Sequence, residues 1–223
     1  MFQIVPAFAV PFAETVLADC DALNAELAAL FLARESEGPR YANPRPSMQI
    51  THQMFESEFE VFAWPEPCIQ KLREFCIAAL SRAIAQLNGY RGEEVARMRI
   101  ASHTWFHVTR RGGYFGLHNH PMASWSGVYC VSAGQDDGTH VDSGKLHFSN
   151  PLQLANMFID PANSHLRPPY SMSGRSYRLV PGQLVLFPSW VNHEVLPFHG
   201  EGERITVAFN AWFHLDEQGG ATP

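Results

Sequence analysis

The chain has 223 residues, 46% of them hydrophobic and 17% charged, and 22 acidic against 16 basic side chains leave a net charge of −6. That length and apolar content suit one domain with its own core and exclude a disordered chain. The negative balance gives no global basic field, so no nucleic-acid partner is expected. No apolar run approaches the ~20 residues that span a bilayer, so no membrane partner is expected either.

The opening segment, MFQIVPAFAVPF, is apolar but has no Lys or Arg before Arg34 and two interrupting prolines. A secretory signal wants a basic start, so a cytoplasmic protein is expected. From Glu14 to about Arg34, the residues Val16, Leu17, Leu23, Leu27, Leu30 and Phe31 recur at helical spacing and predict a helix. The three prolines of SEGPRYANPRPS make the next stretch a loop. A second helix follows Pro65 and Pro67, with Ile69, Leu72, Phe75, Leu80, Ile84 and Leu87 as its buried stripe and Asn88-Gly89 as its stop.

After residue 95 the pattern changes to short β-type runs: RMRIASHTWFHVT, SGVYCVSA, KLHFS, SYRLV, QLVLF and RITVAFNAWFHL. Separated by Gly, Pro, Asn and Asp, they predict six to eight strands of a sandwich or jelly roll. The expected organisation is one α+β domain over residues 1–223, with a helical layer at 1–95 and a β core at 96–215. The stretches 134–144 and 150–175 are expected to be connections that read a substrate. Cys20, Cys68, Cys76 and Cys130 form no C-x-x-C pair, so reduced thiols are expected.

Eleven histidines are present, and their placement matters more than their number. His118 and His120 stand two apart in GLHNHP, and residues i and i+2 of an extended segment point to the same side. Their imidazoles can therefore share a metal ion. His193, in PGQLVLFPSWVNHEV, follows an apolar strand and a proline corner where a jelly roll can bring it to that pair. His52, His140, His165 and His199 are read as ordinary surface or core histidines. A carboxylate from Asp136, Asp137 or Asp142 is a further candidate for the ligand set; Glu194 should point the other way. Trp105, Trp125, Trp190 and Trp212 lie near these motifs, as core or as an apolar wall.

The last run alternates cleanly. Ile205, Val207, Phe209, Ala211 and Phe213 make an unbroken apolar face, and Arg204, Thr206, Ala208, Asn210 and Trp212 make the other. If the second face lines the inside of the β unit, Arg204 is a buried cation that needs an anion. A ligand carboxylate suits its guanidinium fork; an internal salt bridge or exposure at the strand end are the other readings.

The pieces W-F-H-V, GGYFGLHNHPMASWSGVYCV and PGQLVLFPSWVNHEVLPFHGEGERITVAFNAWF together resemble the Fe(II)- and 2-oxoglutarate-dependent oxygenases, and a small bacterial and phage group of them in particular. The resemblance runs over roughly residues 97 to 214. It implies a double-stranded β-helix (a cupin-like jelly roll) with supporting N-terminal helices. It further implies a hydroxylase of unidentified small-molecule or protein substrate, with Fe(II) and 2-oxoglutarate as cofactors. By the same resemblance His118 and His193 are iron ligands, Arg204 holds the far carboxylate of 2-oxoglutarate with Thr206 assisting, and His107 is a polar co-substrate contact. The departure is His120, which stands where the wider superfamily has Asp or Glu and leaves one negative charge fewer on the metal. A cupin-like three-histidine metal enzyme that does not use 2-oxoglutarate, such as a thiol dioxygenase, is the second reading. A non-catalytic jelly-roll binding protein is the third.

Overall fold

The computed structural model describes residues 1–46, 53–136, 138–152 and 160–216; His52 and Asp137 lie outside them. In chain order the main elements are β1 (Ala13–Val16), α1 (Asp21–Ser36), β2 (Met54–Glu56), α2 (Pro67–Asn88), α3 (Glu93–Arg97), β3 (Met98–Thr109), β4 (Phe115–His118) and β5 (Trp125–Gln135). They continue with β6 (Leu146–Phe148), β7 (Arg175–Tyr177), β8 (Gln183–Pro188), β9 (His193–Val195) and β10 (Glu201–Leu215). Among the described residues, ten strands form two antiparallel sheets, a large one in the order β1-β8-β5-β10-β3-β2 and a small one in the order β4-β9-β6-β7. This is the double-stranded β-helix expected from the sequence, with the helices on one face of the large sheet.

Two cores hold it together. Outside the large sheet, Leu27 and Phe31 of α1 and Ile69, Leu72 and Leu80 of α2 pack onto Phe106, Tyr129, Val207 and Phe209 from three central strands. Phe31 stacks on Phe106 with ring centroids 4.4 Å apart. Between the sheets, Leu146, Phe148 and Tyr177 meet Cys130, Val185 and Phe187. β10 serves both sides. Its odd residues Ile205, Val207, Phe209 and Ala211 enter the helix-side core, with Phe213 only partly buried beside it. Its even residues Arg204, Thr206, Ala208 and Asn210 line a cavity on the inner face.

The helix α2 begins with Pro67 in its first turn and ends at Gly89, whose φ of 72° is left-handed backbone that glycine adopts without strain. The N-terminal ninety residues are less purely helical than their periodicity suggests. Residues 14–16 belong to β1, which pairs with the edge of β8, and α1 starts only at Asp21. The break is local: Asp19 takes a positive φ of 51°, which ends any helix there. β2 also lies within this layer and extends the opposite edge of the same sheet by pairing with β3. These short strands cap edges that would otherwise carry unpaired N–H and C=O groups. All four cysteines are free and buried. Among the described residues, no helix is long and apolar enough to cross a membrane.

Candidate metal and co-substrate site

The strand pairing of the small sheet brings the histidines together. In the β4–β9 register, His118 lies directly opposite His193. His120 follows two residues on, tied by its backbone N–H to the Ser189 carbonyl at 2.8 Å. The rings of His118 and His193 are 4.2 Å apart between centroids, and His120 stands 5.0 and 5.2 Å from them. One nitrogen from each lies within 4.8 Å of the others, near enough for all three to share one ion.

Two of the three rings are already oriented. Nδ1–H of His118 donates to the Gly116 carbonyl at 2.8 Å, and Nδ1–H of His193 donates to the Val191 carbonyl at 2.9 Å. Each bond runs to a carbonyl two residues earlier, and each leaves Nε2 as the free lone pair. A metal-binding imidazole usually has its other nitrogen held in this way. Burial also keeps the rings neutral. It pushes His193 well below its ordinary value, lowers His118, and takes His120 down to about 4 with help from the neighbouring imidazoles. Neutral imidazole is the form that binds metal.

The triad opens into a cavity of about 420 Å³ that Arg204, Thr206 and His107 also line. Arg204 is 4% exposed and its Nη2 has no hydrogen-bond partner. No carboxylate among the described residues pairs with it, and burial lowers its pKa. A fully desolvated, unpaired guanidinium is costly, so the cavity is built to receive an anion. Trp105 contributes a second buried donor without a partner, its indole Nε1–H. Of the four tryptophans near the motifs, Trp105 alone lines this cavity. Trp125 belongs to the helix-side core, Trp190 is half exposed, and Trp212 donates to the Met122 carbonyl.

The acidic residues considered for the metal are engaged elsewhere. Asp136 pairs with Arg178 at 2.6 Å and Asp142 with Lys145 at 2.9 Å; neither lines the cavity, and nor does Glu194. The carboxylate that does line it is Glu56, from β2. Its Oε2 accepts from Nε2 of His107 at 3.0 Å, and its Oε1 accepts from the Asn43 amide at 2.6 Å. Burial alone would raise its pKa, but the His107 and Asn43 contacts outweigh that and hold it below the usual carboxylate value. Motif spacing does not reveal Glu56, because it lies 51 residues before its partner. Nothing local marks it either, because Met54-Phe55-Glu56 is too short to show a period and the burial of Glu56 follows from pairing with β3. Among the histidines read as ordinary, His140 and His199 stack on each other at 4.0 Å, away from the triad.

The family described as "Putative 2OG-Fe(II) oxygenase" matches residues 103–210, a span that includes the three histidines and Arg204. No curated protein matches the sequence. Among solved structures, a Pseudomonas putida prolyl-4-hydroxylase aligns at TM-score 0.60 and 20% identity, over 93% of this chain and 94% of its own. The non-heme alpha-ketoglutarate-dependent epimerase SnoN from nogalamycin biosynthesis aligns at 0.58 and 12%, over 96% and 81%. HygX from Streptomyces hygroscopicus, solved with nickel and 2-oxoglutarate, aligns at 0.52 and 12%, over 91% and 83%. At these identities the three share the fold with this chain.

Proposed function

We propose, on the match of residues 103–210 to the family described as "Putative 2OG-Fe(II) oxygenase", that the chain is a hydroxylase of the Fe(II)- and 2-oxoglutarate-dependent oxygenase superfamily in which His118, His120 and His193 hold the iron and Arg204 anchors the co-substrate. The observation that carries this reading is Arg204, a buried cation with no carboxylate partner among the described residues, lining the same cavity as three neutral, converging imidazoles. When bound, Fe(II) and 2-oxoglutarate supply the oxidative chemistry, coupling decarboxylation of the co-substrate to succinate with oxygen insertion into a C–H bond of the substrate.

The protein's own part is binding, orientation and exclusion of water. His118 and His193 present Nε2 because their Nδ1–H groups are tied to carbonyls. Arg204, whose buried Nη2 has no partner, would hold the distal carboxylate of 2-oxoglutarate, which would remove the cost of its unpaired charge. Thr206 follows two residues along the same inward face and offers its hydroxyl to that carboxylate. His107 lies opposite Thr206 in the β3–β10 register with its ring held by Glu56, and in this reading it would be a polar contact to the co-substrate. Phe115, Phe187 and Trp105 line the cavity with rings that keep water from the reacting groups.

The test is an anaerobic titration of the apoprotein with Fe(II) and then 2-oxoglutarate, followed by visible absorption. The expected result is a weak charge-transfer band that needs both additions. Iron binding without that band would overturn the 2-oxoglutarate assignment and favour a three-histidine iron enzyme acting without it; thiols would then be the substrates to try. No iron binding would overturn the reading altogether.

A further inference from the structure

On the reading that the three histidines hold the iron and Arg204 holds 2-oxoglutarate, we propose that Glu56 supplies, from outside the ligand sphere, the negative charge that a carboxylate ligand would otherwise provide.

The charge count motivates this. A divalent metal on three neutral imidazoles, with dianionic 2-oxoglutarate and one guanidinium, carries one net positive charge in a partly enclosed cavity. Uncompensated charge in a low-dielectric site is costly, and a metal dominates the local field. Among the described residues lining that cavity, Glu56 is the one carboxylate. With His107 counted as a neutral imidazole donating Nε2–H to it, adding Glu56 brings the total to zero, the same total that two histidines, one carboxylate ligand, 2-oxoglutarate and an arginine would give.

Its placement fits the role. Glu56 pairs with His107 across β2 and β3, and His107 pairs with Thr206 across β3 and β10. Glu56, His107 and Thr206 thus form one row across three neighbouring strands, and all three line the cavity. The carboxylate is 7% exposed and fixed at both oxygens, by Asn43 on one and His107 on the other. It is not a member of the ligand cluster, which is the histidine triad alone. A carboxylate so held is a stationary charge on the wall of the cavity that the triad also lines. Cavity-lining Arg45 is exposed, so solvent screens it and it does not cancel Glu56.

The experiment measures Co(II) affinity of the apoprotein by competition with a chromophoric chelator, for the parent, E56Q, E56D and the double variant E56Q/H120D. Gln keeps the shape of the side chain and removes its charge. The E56Q chain is expected to bind Co(II) about ten- to a hundredfold more weakly than the parent. E56Q/H120D, which moves the carboxylate onto the metal, is expected to recover most of that loss. Glu56→Asp keeps the charge but retracts it from His107, and is expected to stay within about threefold of the parent.

Unchanged affinity in E56Q would overturn the proposal. So would a double variant no better than E56Q, or an E56D loss as large as that of E56Q, because either would reduce Glu56 to a positioning residue for His107. If E56Q does not fold by circular dichroism, E56D and the double variant carry the decision: tight binding by both supports the charge role, and weak binding by either overturns it. A parent chain that binds no Co(II) would remove the histidine-triad reading and this proposal with it. A parent that binds tightly beside an unaffected E56Q removes this proposal alone.

Discussion

At the scale of single residues, the site is a contest between burial and charge. His193 is 4% exposed and almost wholly desolvated, so its ring has little alternative to the Val191 carbonyl on one side and a metal on the other. His193→Ala is expected to abolish metal retention, measured as metal content after gel filtration; full occupancy would move the third ligand elsewhere. Arg204 gives the complementary prediction. Arg204→Met is expected to raise the stability of the ligand-free chain, because it removes an unpaired buried charge, and to weaken 2-oxoglutarate binding strongly with little change in metal content. Calorimetric titration beside a thermal melt checks both halves.

The imidazoles also set a pH dependence for the metal-free chain. An unfolded histidine takes up its proton near pH ~6.5, whereas folded His120 resists until about pH 4. Between those values the unfolded state binds more protons than the folded one, so stability rises with pH and is lost as pH falls. The expected loss from His120 alone is on the order of 2 kcal/mol between pH 7 and 5. Urea unfolding at the two pH values, compared with His120→Asn, measures it; equal slopes for parent and variant would show that the ring is not held neutral.

Among the elements, β10 carries the most consequence. It pairs with β3 from Arg204 to Leu215 and with β5 on its other side, so its alternation decides which residues meet the helices and which meet the cavity. The fit is close at Gly127 of β5. A Cβ there would lie 2.3 Å from the Phe209 ring and 2.8 Å from Leu186. Gly127→Ala is therefore expected to destabilise the chain by about 1–3 kcal/mol in urea unfolding through overpacking. The helical layer is tied to the sheet by one buried polar bond, the Tyr129 hydroxyl donating to Asn24 of α1 at 2.8 Å. Tyr129→Phe would strand the Asn24 oxygen in the core, at a cost of about 1–3 kcal/mol with unchanged metal binding.

Several of these elements were legible in the chain. The stop of α2 at Gly89 and the two faces of β10 follow from local backbone preference and a period of two. The paired His118 and His120 were equally plain, being two apart on an extended segment. β1 and β2 were not. Each is too short to show a period, and each exists because it pairs with the edge of a strand far away in sequence. Helical spacing around Val16 and Leu17 competed with that pairing and lost, since β8 offers hydrogen bonds that a frayed helix end beside Asp19 lacks.

At the scale of the molecule, two cores on opposite faces of the large sheet leave the inner cavity open where Arg204 and the histidines face it. A ligand that neutralises that cavity binds the folded chain alone and must stabilise it by mass action, by about 2.7 kcal/mol at a hundred times its dissociation constant. Metal and 2-oxoglutarate together are thus expected to raise the melting temperature, and Arg204→Met should erase the part due to 2-oxoglutarate. A melt that ignores both ligands would contradict the site.

Local patterns in the sequence determined the fold class, the inward face of β10, and a histidine pair suited to metal, because backbone periodicity and i, i+2 geometry act between near neighbours. The union of His193 with that pair, the lack of a carboxylate partner for Arg204 among the described residues, and the presence of Glu56 behind His107 were decided only by tertiary structure. Those facts depend on strand registers between segments tens of residues apart, and a register is chosen by the burial of whole faces rather than by the residues it brings together.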